Sequence, residues 1–243
     1  WTPDIIDFTD AAQRLAWQNA GLDDLNTESP EVRRALRASY GHWIREVGVD
    51  AFRVDTALYV PPAYFDDFLH ADDPQAPGIL RVAEKTGRKG FHAFGEGFAL
   101  DKPFDDTQAK RIDAYMRKAD GTPLLPGMVD FPLYATTNEV FARGAPTAQL
   151  GWRLENRMRV HADPWRMATF VDNHDVERFL AGGDVAGLKQ ALLMQMTVPG
   201  IPVIWQGTEQ GFKEQRGAMF AGGYKSEGRD HFDTQSELFR YVQ

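Results

Sequence analysis

With 243 residues, 43% hydrophobic and 12% aromatic, the chain has enough apolar content for a substantial core and the length of one barrel-sized domain or a large part of one. Its formal charge of −8 argues against a nucleic-acid partner, because phosphate binding needs a basic face. It contains no cysteine, which excludes a disulfide framework and thiolate metal ligation, and no apolar run approaches a membrane span.

Residues 1–28 read as a loop-rich lead-in with a short helical piece near 11–19. Ser29 as N-cap, Pro30 at the first helical position and Glu31 in the first turn predict a helix start. Val32, Leu36, Tyr40, Trp43, Ile44 and Val47 then recur at helical spacing until Gly48 ends the run. A short buried strand follows over 49–57. Residues 61–90 mix prolines and acids around a helix at 79–86 and lead into a second strand over 91–97. A third strand is predicted at 128–133, with helix through Val140 and again over 148–160. A fourth strand at 168–171, a helix at 185–197 broken by Pro199-Gly200, and a fifth strand at 201–205 complete the pattern. Gln243 falls within a predicted closing helix, and no repeat, low-complexity segment or interdomain linker interrupts the chain.

The first strand carries Arg53 and Asp55 two residues apart. Side chains two apart share a face, so this pair lies opposite Phe52 and Val54. A charged pair on an apolar strand is costly to bury unless something needs it. An arginine beside an aspartate keeps the carboxylate ionised, as a nucleophile requires, although a plain structural ion pair fits as well. The second strand ends in Gly95-Glu96 and the fourth in Asp172-Asn173-His174-Asp175. Strands that each deliver an acid at the C-terminal end suit a site assembled on one rim of a parallel barrel.

In order, Ala51-Phe52-Arg53-Val54-Asp55, Gly95-Glu96 and Asn173-His174-Asp175 resemble the GFRxD, GE and NHD motifs of the α-amylase family, glycoside hydrolase family 13. The resemblance extends to Leu22-Asp23-Asp24-Leu25-Asn26 upstream and to Gly200–Glu209 downstream, nearly the whole chain. It implies an α/β fold and a partial (β/α)8 TIM barrel, with about strands four to eight present and the first three missing. Residues 1–243 would then be part of one glycoside hydrolase catalytic domain, truncated at both ends, with an unpaired edge and exposed core where the barrel fails to close. The chain opens on Trp1 and shows no signal peptide, as a cut amino terminus would.

The same resemblance implies Asp55 as nucleophile, Glu96 as general acid and then base, and Asp175 holding the ring hydroxyls. A proton kept on Glu96 by two nearby aspartates would fit this assignment. Arg53 and His174 match positions that contact sugar in the cleaved subsite. Trp205 and Gln206, at the end of the last strand, offer a stacking aromatic and a polar partner, and Tyr59 and Tyr64 would border the acceptor side. Asp23, Asp24 and Asn26 shape a loop, and the other histidines (His42, His70, His92, His161 and His231) read as structural or surface residues.

The implied activity is retaining hydrolysis of α-1,4-linked glucans or maltooligosaccharides. A glucanotransferase, an α-1,6-glucosidase and a non-catalytic amylase-like subunit remain as alternatives. No cofactor is required for that chemistry, and a structural calcium ion is compatible with it, its site undetermined. The partner would be an α-glucan or oligosaccharide, with neither nucleic acid nor membrane involved; the oligomeric state is open, and family habit favours secretion or the periplasm over the cytoplasm. Two departures stand out. Leu58-Tyr59 replaces a Lys-His pair common after the nucleophile, and Asp23 replaces a proline.

Overall fold

The computed structural model describes residues 2–243. Pro30 opens α2 (Pro30–His42), which runs on as a π-turn over Trp43–Val47 and stops at Gly48 with φ 83°. Glycine takes that left-handed conformation without a Cβ clash. Ser29 holds the N-cap position but makes no side-chain hydrogen bond; its carbonyl, not its hydroxyl, engages the helix, accepting from Arg33 N. The first strand, β1 (Ala51–Val54), follows at once.

The remaining elements are α1 (Ala11–Ala16), α3 (Pro62–His70), α4 (Ile79–Lys85), β2 (His92–Gly95), α5 (Thr107–Asp113), β3 (Gly127–Met128), α6 (Phe131–Phe141), α7 (Thr147–Val160), β4 (Ala168–Thr169), α8 (Phe179–Gly182), α9 (Val185–Thr197), β5 (Ile201–Pro202) and α10 (Glu237–Val242). The chain divides into two compact units, one comprising residues up to Phe98 with Lys110–Val129, the other Ala99–Ala109 with Asp130–Gln243.

The first unit is built on a parallel sheet in the order β1-β2-β3. Ala51 stands opposite His92 and Val54 opposite Gly95, while Gly95 also faces Met128. Gly95 is required there, because a Cβ would lie 2.5 Å from Met128 Sδ and 2.9 Å from Ala57 Cβ. Ile44, Phe65, Leu69 and Ile79 are wholly buried. Tyr40 packs edge-on against Phe52 and Phe68, and Phe52 against Phe91, so aromatics join the helices to the sheet.

Two expectations fail in this unit. The strand carrying Arg53 is not buried: its residues alternate between exposed and half-buried, the face of Ala51 and Arg53 lying open. Tyr64, expected to stand open at an acceptor side, does not lie open. It is buried, stacked on Phe68 at 5.4 Å, and burial pushes its phenol pKa up.

In the second unit β4 and β5 pair in parallel, with Ala168 opposite Ile201 and Thr169 opposite Pro202. The strand expected over 128–133 ends at Met128. Asp130 caps α6 instead, accepting from Leu133 N at 3.0 Å, and Pro132 sits in the first turn where its missing N–H costs nothing. The strands expected to reach Val171 and Trp205 are also short. After one further ladder bond (Val203 N to Thr169 O), the Gln195 amide bonds both of those residues' carbonyls. Val171, Phe179, Leu180, Leu188, Ala191, Leu192 and Leu238 form the core of this unit.

One face of α7 is polar and yet buried. Arg157 Nε donates to Asp130 at 3.0 Å and its Nη2 to the Pro164 carbonyl. One turn earlier Arg153 pairs with Asp101 at 3.1 Å and donates to the Asp105 carbonyl at 2.8 Å. All four ion-pair side chains are essentially solvent-free. Charges so buried persist only when paired and hydrogen-bonded.

Candidate active site

In the first unit the segment after β1 organises three of the expected residues. Arg53 Nη1 meets Asp55 Oδ1 at 2.8 Å, on the shared face that two-residue spacing requires. The pair lies open, Asp55 at 68% and Arg53 at 35% side-chain exposure, so solvent screens their attraction. Thr56 adopts φ 48° and ψ 35°, a left-handed conformation that a β-branched residue takes only under constraint. That turn aims its N–H at the carboxylate of Glu96, Oε2 at 3.0 Å. The Glu96 backbone is held by the same segment: its N–H donates to Val54 O at 2.7 Å and its carbonyl accepts from Ala57 N at 2.8 Å. Buried Glu96 is therefore tied through side chain and main chain to the residues on either side of Asp55.

Tyr59 ends a short 3-10 turn (Ala57–Tyr59), half-buried. Burial and the charge of Arg14 lower the pKa of the Arg111 guanidinium; Tyr115 and Tyr59 oppose that. Tyr59 thus lies near Arg111, and no contact joins it to Asp55 or Glu96 among those described.

In the second unit Asn173, His174 and Asp175 form a tight turn, Asn173 Oδ1 accepting from Asp175 N at 2.8 Å. His174 Nε2 lies 3.0 Å from Asp175 Oδ2, and its ring is 5.3 Å from that of Trp205. His174, Asp175 and Trp205 are thus brought together. Gln206 plays a different part: its carbonyl accepts from Arg178 Nη2 at 2.6 Å.

Beneath this turn lies a network not anticipated from sequence. Asp172, almost wholly buried, accepts from Thr208 Oγ1 at 2.7 Å and from Phe179 N at 3.1 Å, with Arg178 Nη1 at 3.6 Å. Burial raises the Asp172 pKa, and these three partners oppose the rise. Arg178 also donates to Glu214 O, at 3.1 Å, and lies over the rings of Trp205 and Phe212. The signal was present as a second aspartate before Asn173 and an arginine six residues on, but an arginine reads by default as surface.

No group of three or more acidic or histidine side chains that could hold a metal occurs among the described residues. The carbonyls of Leu58 and Val60, flanking Tyr59, face the Tyr115 hydroxyl at 3.3 and 3.0 Å.

Motif-bearing turns follow β1 and β2 in the parallel sheet of the first unit and β4 in that of the second, an α/β architecture. The family model described as "Alpha amylase, catalytic domain" matches residues 9–125 and 127–240, and the chain belongs to the α-amylase family. It is 30% identical to a β/α-amylase of Paenibacillus polymyxa, over 92% of this chain and 16% of that protein. To a cyclomaltodextrin glucanotransferase of Thermoanaerobacterium thermosulfurigenes it is 27% identical, over 78% of this chain and 24% of that one. The solved α-amylase of Geobacillus thermoleovorans, complexed with acarbose, superposes with TM-score 0.76 at 25% identity, covering 100% of this chain and 49% of its own. The chain thus spans a quarter or less of these curated relatives and about half of that solved one.

Proposed function

We propose that residues 1–243 supply about strands four to eight of a (β/α)8 barrel within one catalytic domain, and that the complete protein is a retaining glycoside hydrolase of α-1,4-linked glucans or maltooligosaccharides. Family membership and the parallel pairing within each of the two sheets support this reading. The observation that carries it is the Thr56 N–H bonded to Glu96 in the residue directly after Asp55. A Glu96 carboxylate held by the amide of the residue next to Asp55 suits two carboxyl groups kept close, as retention through a covalent intermediate demands, with about 5–5.5 Å between them.

In the proposed first step Asp55 attacks the anomeric carbon while Glu96 passes its proton to the leaving oxygen; the glycosidic bond breaks and a glycosyl ester forms. Glu96, now ionised, then takes a proton from water as that water opens the ester, restoring both carboxyl groups. Asp175 is assigned to the ring hydroxyls, with Arg53, His174 and Trp205 as sugar contacts and Tyr59 toward the acceptor. No cofactor takes part in these steps.

Asp55→Asn in the complete protein is expected to abolish turnover with circular dichroism unchanged. Near-normal activity in that variant would remove the mechanism.

A glucanotransferase is the second reading, favoured by the likeness to a cyclomaltodextrin glucanotransferase, and Leu58-Tyr59 after the nucleophile leaves acceptor preference open. The two readings differ in whether water or a sugar hydroxyl opens the ester. Short sugars alone from maltoheptaose mean hydrolysis; chains longer than seven glucoses mean transfer.

A further inference from the structure

The long irregular segment after β5 reaches back to the Asn173-His174-Asp175 turn through two adjacent side chains. Gln215 Nε2 donates to the His174 carbonyl at 2.9 Å, and Arg216 Nε donates to the same carbonyl at 2.9 Å. Arg216 then extends Nη2 to Asp175 Oδ1 at 3.1 Å. His174 Nε2 already stands 3.0 Å from the other oxygen, Oδ2. Both oxygens of Asp175 are therefore engaged, from opposite ends of the carboxylate, and its backbone N–H is fixed by Asn173.

We infer that Arg216 is a positioning residue for Asp175, a planar clamp that grips the His174 carbonyl and the Asp175 carboxylate together and makes the orientation of this acid depend on the docking of the segment after β5. The inference rests on the reading of Asp175 as a sugar-holding acid. Guanidinium chemistry suits the role: two N–H groups in a rigid fork reach two acceptors on consecutive residues, which a single ammonium cannot do with the same geometry. The bond to the carboxylate is charge-assisted, and so stronger than a neutral contact of the same geometry. Arg216 itself is 62% exposed, so it contributes little to the core and its removal leaves the packing intact.

The test is a double-mutant cycle in the complete protein, with an α-maltosyl fluoride as substrate so that crippled variants still turn over. Arg216→Met is expected to lower kcat on the order of 10–10²-fold with a smaller change in KM, the scale on which misplacement of an active-site group acts. Arg216→Lys is expected to recover only part of the loss. In an Asp175→Asn background the same Arg216→Met change should cost less than about threefold more, because the group it positions is already gone. An equal loss in both backgrounds, or an unchanged kcat in Arg216→Met alone, would overturn the clamp. Near-normal turnover in Asp175→Asn by itself would instead sink the reading of Asp175, so the two failures are told apart.

Discussion

Thr56 bears a conformational cost of about 1–2 kcal/mol for its left-handed backbone, and its side chain is exposed and offers little in return. Replacement by glycine removes that cost but loosens the unfolded chain by about 0.4–1 kcal/mol. Thr56→Gly is therefore expected to raise Tm slightly while the backbone bond to Glu96 persists and activity stays within a few-fold. A clear fall in Tm would mean that the threonine side chain stabilises the turn. At Glu96, replacement by glutamine should slow turnover by on the order of 10²–10⁴ for oligosaccharides and much less for substrates whose leaving group needs no proton. Equal losses on both substrate types would rule out its acid role. The face shared by Arg53 and Asp55 was legible from two-residue alternation alone. The strain at Thr56 was not, because nothing in the residue type announces a positive φ.

Among the elements, the longer helices were the more readable, since their apolar spacing is long enough to fix both type and extent, whereas the shorter α3 and α5 went unpredicted. The helix over 185–197 appears with those bounds, and Gly48 ends α2 and its π-turn as expected. The strands were misjudged in length. A run such as Met128–Leu133 is equally apolar as strand or helix start, and the Asp130 cap with Pro132 decides for helix. The buried arginines of α7, and Arg178 before α8, escaped because burial of arginine depends on partners distant in sequence.

Arg178 ties the turn after β4 to the segment after β5, so its removal leaves Asp172 buried without its nearest cation. Arg178→Met is expected to cost about 3–5 kcal/mol at neutral pH. The folded-state pKa of Asp172 is raised by burial, and loss of Arg178 raises it further. A raised carboxylate pKa opposes folding while the group is ionised, and that penalty fades as pH falls through the folded pKa toward the unfolded value. The deficit of Arg178→Met relative to wild type should therefore shrink on acidification, as denaturant melts at several pH values will show. A deficit that grows toward acid would refute this account. Gly95→Ala should cost about 1–3 kcal/mol by crowding Met128 and Ala57.

At the scale of the whole molecule, the order of motifs pointed to the α-amylase family, and the family match agrees. No helix among the described residues is long and apolar enough to cross a membrane. Trp43, Val47, Leu193, Met196 and Val203 are exposed, and β1 is an edge of its sheet. Apolar surface of this kind, beside strand edges, favours association between copies. Residues 1–243 expressed alone should elute from a sizing column as multimers and bind a hydrophobic dye, whereas a monodisperse, dye-silent monomer would contradict that.

The segment from Val203 to Ser236 divides its labour along its length. Its near portion, through Arg216, carries the bonds to Asp172, His174 and Asp175. Its far portion folds back on itself, with Ala218 N donating to Tyr224 O, His231 N to Met219 O and Ala221 N to Asp230. A tip that closes largely on itself, with His231 seated on Phe212 of the stem, is a module: evolution or an engineer can lengthen, shorten or exchange residues 219–230 while the stem keeps its grip on the motif.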